Sequence, residues 1–310
     1  MARSARPTPL KALCTLTDPD LRVYVGDCRT VLPALPECAA GGVDLVFADP
    51  PFNWNRAYDR WDDAMPREDY LEFTYAWLDL CHAALRPGGA FWVNIPDDSA
   101  AEIVVHLKRR GLEMENWCVW HYRFGQNTTA RFINSKVHAL YFVKPAGGAP
   151  GSRGRTWNPE AVLEPSDRAT TYFDPRTLSK NDGMPPGERV PMDVWYGKFW
   201  GRIQGNNKER RASHDNQLPE VYLERVVRAC TDAGDLVLDP FLGSGTTGLL
   251  AHALGRRFIG IEYSEDNARS ACERIREGPI RLDALKNVST AIHPPRKRRA
   301  AGSPVPKAEP

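Results

Sequence analysis

The stretch DLVLDPFLGSGTTG, residues 235–248, decides how this 310-residue chain folds. An apolar run through Leu238 ends on Asp239 and passes into Gly243, Gly245 and Gly248. Such a run is a buried strand, and the glycines allow a tight turn and a close ligand approach that a Cβ would block. A helix begins at Thr246, and its first turn presents unpaired N–H groups and positive potential. The next run, RFIGIE from Arg257, ends on Glu262, where a carboxylate can accept both hydroxyls of a ribose. Gly243 to Gly248 also spells G-x-G-x-x-G, so a structural turn, a nicotinamide dinucleotide site and a site for another adenosine cofactor all remain open. Asp239 weighs against a pyrophosphate and suits a cationic ligand group. Only about sixty residues follow Gly248, whereas a dehydrogenase opens with this motif and builds its sheet after it.

Working outward, short β-rich runs alternate with helical patterns. The runs are RVYV from Arg22, VDLVFA from Val43, AFWVNI from Ala90, NWCVWHYRF from Asn116 and VHALYFVK from Val137. Between Arg67 and Leu85, Tyr70, Phe73, Trp77, Leu80 and Ala84 mark one face of a helix that stops at Pro87-Gly88-Gly89. Further helices are expected over residues 102–110, around Leu223 to Cys230, and over 246–254 and 265–276. Strands separated by helices give a mostly parallel sheet. The segment between the Asn116 and Val137 runs is too short for a helical crossover, so those two pair antiparallel.

A second motif, Asp49-Pro50-Pro51-Phe52-Asn53, follows VDLVFA and so stands at the carboxyl end of a strand, the ligand edge of an open α/β sheet. Two prolines hold a rigid extended loop. There the Asp49 carboxylate and the Pro50 carbonyl offer two acceptors to the two N–H donors of a planar amino group. The lone pair of adenine N6 or cytosine N4 is delocalised into its ring. Two acceptors favour a pyramidal nitrogen, whose lone pair can attack a sulfonium methyl in line. Positioning and electrostatics then supply the rate. Phe52 offers a stacking face for a base that must leave its duplex to arrive.

Composition sets bounds. Net charge is +2 and no apolar run reaches the roughly 18 residues of a membrane span. The start, MARSARPTPLKAL, lacks the apolar core of a secretory signal. The seven cysteines are scattered and odd in number, which reads as free thiols in a reducing compartment, and no metal site is expected. Residues 145–213 are rich in Gly, Pro, Arg and aromatics. Within them Lys198, Arg202, Lys208, Arg210 and Arg211 lie beside Trp195, Tyr196, Phe199 and Trp200. Basic residues interleaved with aromatics suit phosphate and base contact, and the alternative is an insertion packed by its own rings. Gln204, Asn206 and Asn207 are candidate readers of adenine edges. Arg296, Lys297, Arg298 and Arg299 make the end a disordered basic tail.

Taken in this order, the motifs resemble the permuted, beta-group DNA amino-methyltransferases: an early D/S-P-P-Y/F motif, a variable target-recognition region and a late D-P-F-x-G-S-G-T-T motif. The resemblance covers about residues 22–278. It implies an α/β, circularly permuted Rossmann-like fold with a seven-stranded, mostly parallel sheet of order 3-2-1-4-5-7-6 and one antiparallel edge strand. The parts would be an N-terminal extension (1–21), a catalytic half (22–144), a target-recognition insertion (145–213), a cofactor half (214–278) and the basic tail (279–310). By resemblance the cofactor is S-adenosylmethionine. Asp239, Phe241, Gly243, Gly245 and Thr246 would pass its methionine end, Glu262 its ribose and Asp27 its adenine, while Asp49, Pro50, Pro51 and Phe52 would hold the base. HDNQLP, from His214, stands where the family often has H-P-T-Q-K-P, with only His214, Gln217 and Pro219 in common.

Asp at the head of the early motif is usual for N6-adenine enzymes and Ser for many N4-cytosine enzymes, so the expected target is adenine N6 in double-stranded DNA. The alternatives are N4-cytosine methylation, a nicotinamide oxidoreductase that leaves D-P-P-F unexplained, and a DNA binder that has lost catalysis. A second copy of the chain and a separately encoded restriction endonuclease are candidate partners. The expected location is a prokaryotic or phage-infected cytoplasm.

Overall fold

A computed structural model describes residues 10–56, 61, 63–122, 127–147, 154–176, 185–211, 214 and 216–287. Nine strands form its main sheet: β1 (Cys14–Thr17), β2 (Asp20–Val25), β3 (Val43–Ala48), β4 (Leu85–Ile95), β5 (Glu113–His121), β6 (Lys136–Val143), β7 (Val194–Trp195), β8 (Leu236–Asp239) and β9 (Arg257–Glu262). Their order across the sheet is β1-β2-β9-β8-β3-β4-β6-β5-β7. All seven expected strands are present. Counted from the glycine strand β8, their order is 3-2-1-4-5-7-6.

Two expectations are corrected. The sheet has nine strands rather than seven, because β1 folds back antiparallel on β2 and β7 pairs with the outer side of β5. Of the seven expected strands, the antiparallel one is not at the edge: β6 lies inside the sheet, antiparallel to both β4 and β5, and the antiparallel edge strand is the unexpected β1. The sheet therefore begins at Cys14, ahead of the expected start at residue 22.

Helices cover both faces, which is why all six residues of β3 are buried. Alternate side chains sort the core into two layers. Leu45 and Phe47 face α3 (Glu220–Cys230), α4 (Thr246–Ala253) and α5 (Glu265–Glu277). Val46 and Ala48 face α1 (Arg67–Ala84) and α2 (Asp97–Arg109). In α1, Tyr70, Phe73, Trp77, Cys81 and Ala84 form the buried stripe, and Glu68 and Asp69 favour its start. The chain after α5 does not leave the fold at residue 279. Leu285 is buried, the Arg281 amide donates to Glu220 (2.7 Å), and the Asp283 amide donates to Glu224 (3.0 Å). The four basic residues from Arg296 lie outside the described residues. Among the described residues, no helix is long and apolar enough to cross a membrane.

Candidate active site

The carboxyl ends of β2, β3, β8 and β9 surround a cleft of about 740 Å³. It is lined by Asp27, by Asp49 to Phe52, by Asp239, Phe241, Gly243 and Thr246, and by Glu262. Motifs nearly 200 residues apart in sequence meet here because β3 and β8 are neighbours in the sheet (Val46 opposite Leu238).

The loop after β3 is pinned from outside. Tyr70, on α1, donates its hydroxyl to the Pro51 carbonyl (3.0 Å). Asp63 is only 3% exposed and accepts the amides of Asn53 (2.9 Å), Trp54 (2.9 Å) and Arg56 (3.0 Å). Asn53 has a φ of 57°, and its side-chain amide exchanges two 2.8 Å bonds with the backbone of Met65. These bonds fix the direction in which Asp49 and Phe52 face.

Enclosure by protein pushes the Asp49 carboxyl up to about 7. The charge of Asp239 adds to that rise, while the Asn94 amide and the Arg202 guanidinium oppose it. Asn94, at the end of β4, is buried, and its Oδ1 accepts the hydroxyl of fully buried Tyr222 (2.6 Å). That bond fixes the amide flip, and the Asn94 NH₂, which makes no close hydrogen bond, favours the ionised form of the Asp49 carboxyl.

Asp239 is also enclosed and pushed up to about 7, with its carboxylate held by the Phe241 amide (2.9 Å) and the Thr247 hydroxyl. Glu262 accepts the amides of Gly243 (2.8 Å) and Ser264 (3.0 Å), so the end of β9 is tied to the glycine loop. Gly245 has a φ of 78°, and a Cβ there would stand 2.8 Å from the Cβ of Ala271. It belongs to the packing behind the loop, not to the cleft wall. Arg274, 2% exposed on α5, donates to the Thr246 hydroxyl (2.8 Å) and to the Ser244 carbonyl (3.2 Å) while it pairs with Glu220 (3.3 Å). The glycine loop is thus clamped to α3 and α5.

Several expected residues are placed differently. Asp27 lines the cleft, but its carboxylate caps a short helix and pairs with Arg29 (2.6 Å), which holds its pKa below the usual carboxylate range against the cost of burial. Trp195 and Trp200 are core residues, not base contacts. The Arg225 guanidinium lies over both rings from one side (5.3 and 4.5 Å), and the Trp120 indole donates to the Trp200 carbonyl (2.6 Å).

The basic stretch is divided. Arg202 and Arg210 line a second concavity of about 290 Å³ together with Arg56 and Gln204. Arg56 and Asn216 line both this concavity and the cleft, so the two are contiguous. Arg211 pairs with Glu277, Lys198 lies over the Phe199 ring (4.9 Å), and Lys208 is exposed. Among the described residues, no cluster of three or more His, Cys, Asp or Glu could hold a metal, and all seven cysteines are free and buried.

Asp63, Asn94, Tyr222 and Arg274 were not singled out in the sequence. Only Arg274 left a signal, as a charged residue among the buried positions of an amphipathic helix.

A family model described as DNA methylase matches residues 43–273. The chain is 32% identical over 259 residues to the Type II methyltransferase M.BamHI of Bacillus amyloliquefaciens, an alignment that covers 83% of this chain and 56% of the relative. It thus spans little more than half the length of that relative. Two solved structures share the fold. The M1.HpyAVI–SAM complex has a TM-score of 0.56 at 20% identity, covering 82% of this chain and 98% of that one. The PvuII DNA methyltransferase, titled cytosine-N4-specific, has a TM-score of 0.59 at 17% identity, covering 82% and 86%.

Proposed function

The chain belongs to the DNA methylase family, and from that premise we propose that it transfers a methyl group from S-adenosylmethionine to N6 of an adenine extruded from duplex DNA. The observation that carries the proposal is the shared cleft, where the Asp49-Pro50-Pro51-Phe52 loop faces the glycine loop and Glu262.

The cleft residues fit S-adenosylmethionine. Gly243 and Gly245 hold the positive φ that the loop requires, and Glu262 stands at the end of β9 where a ribose is held. Asp239 is an acid buried in the wall, where a cationic ligand is favoured and a pyrophosphate is repelled, which sets aside the nicotinamide alternative. When bound, the cofactor supplies an electrophilic sulfonium methyl. Asp49 and the Pro50 carbonyl each accept one N–H of the target amine. The Asp49 carboxylate stabilises the positive charge that develops on the nitrogen and is placed to accept the proton that the methylated nitrogen releases. Phe52 stacks on the base, and Tyr70 and Asp63 keep the loop from yielding. The circular permutation and the target-recognition role of residues 145–213 belong to the same proposal. N4 of cytosine presents the same amino chemistry, and the cytosine-N4-specific neighbour makes it the second reading. Asp49 favours adenine by family resemblance.

Labelled methyl groups from the cofactor are expected to enter acid-precipitable duplex DNA. Label that enters RNA or protein in place of DNA would refute the proposal.

Asp49 is a charged acceptor for its N–H of the target amine only when ionised. Its raised pKa therefore places the acid limb of kcat/KM near neutrality, with activity lost as pH falls. Asn94→Leu removes an N–H that favours the ionised form, so the limb is expected to move to higher pH and activity to recover in alkaline buffer. Tyr222→Phe is expected to move it the same way by less. A pH–rate profile checks this, and a loss equal at every pH would assign both residues to packing alone.

Lys198, Arg202, Lys208, Arg210 and Arg211 are the proposed DNA contacts, with Arg202 and Arg210 foremost, because their concavity adjoins the cleft. Arg202→Ala is expected to weaken DNA binding uniformly across sequences and to reduce the slope of log K against log salt by ~1. An unchanged slope in a salt titration would remove Arg202 from the interface.

A further inference from the structure

The loop that joins β5 to β6 carries the most exposed large apolar side chain among the described residues. Phe132 is 97% exposed, and its neighbour Ile133 is 45% exposed. Exposed Arg131 precedes them. Burial of apolar surface is favourable, so a ring held wholly in water is informative where it stands beside a binding site.

Strand directions place this loop. β3 and β4 are parallel, β6 is antiparallel to β4, and β5 is antiparallel to β6. The turn end of the β5–β6 hairpin therefore stands on the same edge of the sheet as the carboxyl end of β3, where Asp49 begins. β6 is two strands from β3, a lateral step of roughly 10 Å at the usual strand spacing. The ladder runs up to His121 opposite Lys136 and is extended by the Tyr122 amide, which donates to Ser135 (2.8 Å). At the root of the loop the Arg202 guanidinium lies over the Tyr122 ring (5.3 Å). Arg202 lines the arginine concavity that runs into the cleft. The root of the loop thus stands beside the arginine concavity on the edge of the sheet where a base would enter, and Phe132 lies three residues from that root.

Resting on the DNA reading above, we propose that Phe132, supported by Ile133, is an apolar wedge that enters the duplex where the target base leaves it. Extrusion of a base breaks its stacking and leaves an apolar gap between the neighbouring pairs. An aromatic ring in that gap restores stacking on both sides, as apolar wedges do when they unstack a base step. Arg131 and the arginine concavity attract the flanking phosphates and hold the loop over the step. Phe132 touches neither cofactor nor target base. It acts on the extrusion equilibrium, so its effect depends on how firmly the target is paired.

The test follows from that dependence. Wild type and Phe132→Ala are compared on two duplexes carrying the unmethylated target site, one fully paired and one with an abasic position opposite the target. Phe132→Ala is expected to lower kcat/KM on the paired duplex by at least ~10-fold, with loss mostly restored on the abasic one, where unpairing is no longer required. Phe132→Trp is expected to retain activity on both. Cofactor affinity equal to wild type shows that the variant is folded. A variant with wild-type activity on the paired duplex, or an equal loss on both duplexes, would overturn the wedge. A concentration-dependent dimer lost in Phe132→Ala, with paired-duplex rates unchanged, would assign the tip to a second copy of the chain and overturn it likewise. A wild-type chain inactive on both duplexes would sink the DNA reading itself, a failure distinct from the other two.

Discussion

Asp49→Ala is expected to lose methyl transfer by at least ~10²–10³-fold in kcat while cofactor affinity stays close to wild type. The size of the effect follows from the role proposed for the side chain. The amine is a nucleophile only while acceptors draw on both its hydrogens, and Asp49 is the one acceptor that is also a charge. Its environment makes the loss specific. Behind it, Asn94 and Tyr222 form a buried polar pair that needs no repacking when the carboxylate is removed. The glycine loop is fixed independently by Glu262 and Arg274. Asp49→Asn keeps the volume and one acceptor but replaces the other with a donor, so it is expected to be nearly as inactive. Single-turnover transfer and calorimetric cofactor titration check both variants. A variant that loses cofactor binding together with transfer would show that Asp49 serves the cofactor and not the base.

The second large effect is expected at Gly245. A side chain there meets the Ala271 Cβ at 2.8 Å in a backbone conformation that L residues rarely adopt. Strain and overpacking together are expected to cost Gly245→Ala about 2–4 kcal/mol of stability. The strain sits at the start of α4, so part of it displaces Gly243 and Thr246. Cofactor affinity is expected to fall by roughly 10-fold or more, since 1.4 kcal/mol already corresponds to tenfold. Gly243→Ala makes a useful contrast. Its added Cβ would have nothing closer than the Phe241 carbonyl at 3.8 Å, although its φ of 49° is also positive. Gly243→Ala should therefore keep more stability than Gly245→Ala, and chemical denaturation of the two variants checks that order.

The comparison of these glycines shows where the sequence is informative. The two motifs and their strands could be read from periodicity and punctuation, because a strand that ends in an acid, followed by glycines or prolines, is a local signal. The order of the seven long strands followed from the family resemblance. The edge strands were not legible. Val194 and Trp195 make a strand only because β5 offers an open edge at Val119 and Trp120, and two residues carry no period. Pro87-Gly88-Gly89 marked the end of α1, which does stop at Ala84, but gave no sign of the strand that follows. In the fold β4 starts at Leu85 and runs through it, because Lys144 bonds across to Gly88 (2.8 Å) and Gly89 (3.0 Å).

At the site, the cleft-lining residues of the two motifs were legible and the residues that hold those motifs in place were not. Asn94 acquires its role from Tyr222, and Arg274 acquires its role from Glu220 and Ser244, all distant in sequence. The basic stretch from Lys198 looked like one surface in the sequence. Tertiary packing sends Arg202 and Arg210 to a concavity beside the cleft, ties Arg211 to Glu277 and takes Trp200 into the core. Arg56 joins that concavity from the loop after Phe52, a partner that no single window of sequence contains.

The most direct test of the central claim is the identity of the product. Purified protein is incubated with unmethylated duplex DNA and S-adenosylmethionine, the DNA is digested to nucleosides, and the products are separated and weighed by mass spectrometry. The geometry of Asp49, Asp239 and Glu262 in one cleft, with Asp at the head of the early motif, predicts N6-methyladenine. N4-methylcytosine would contradict the assignment of the base while leaving the amino-transfer cleft intact, and unmodified nucleosides throughout would contradict the account as a whole.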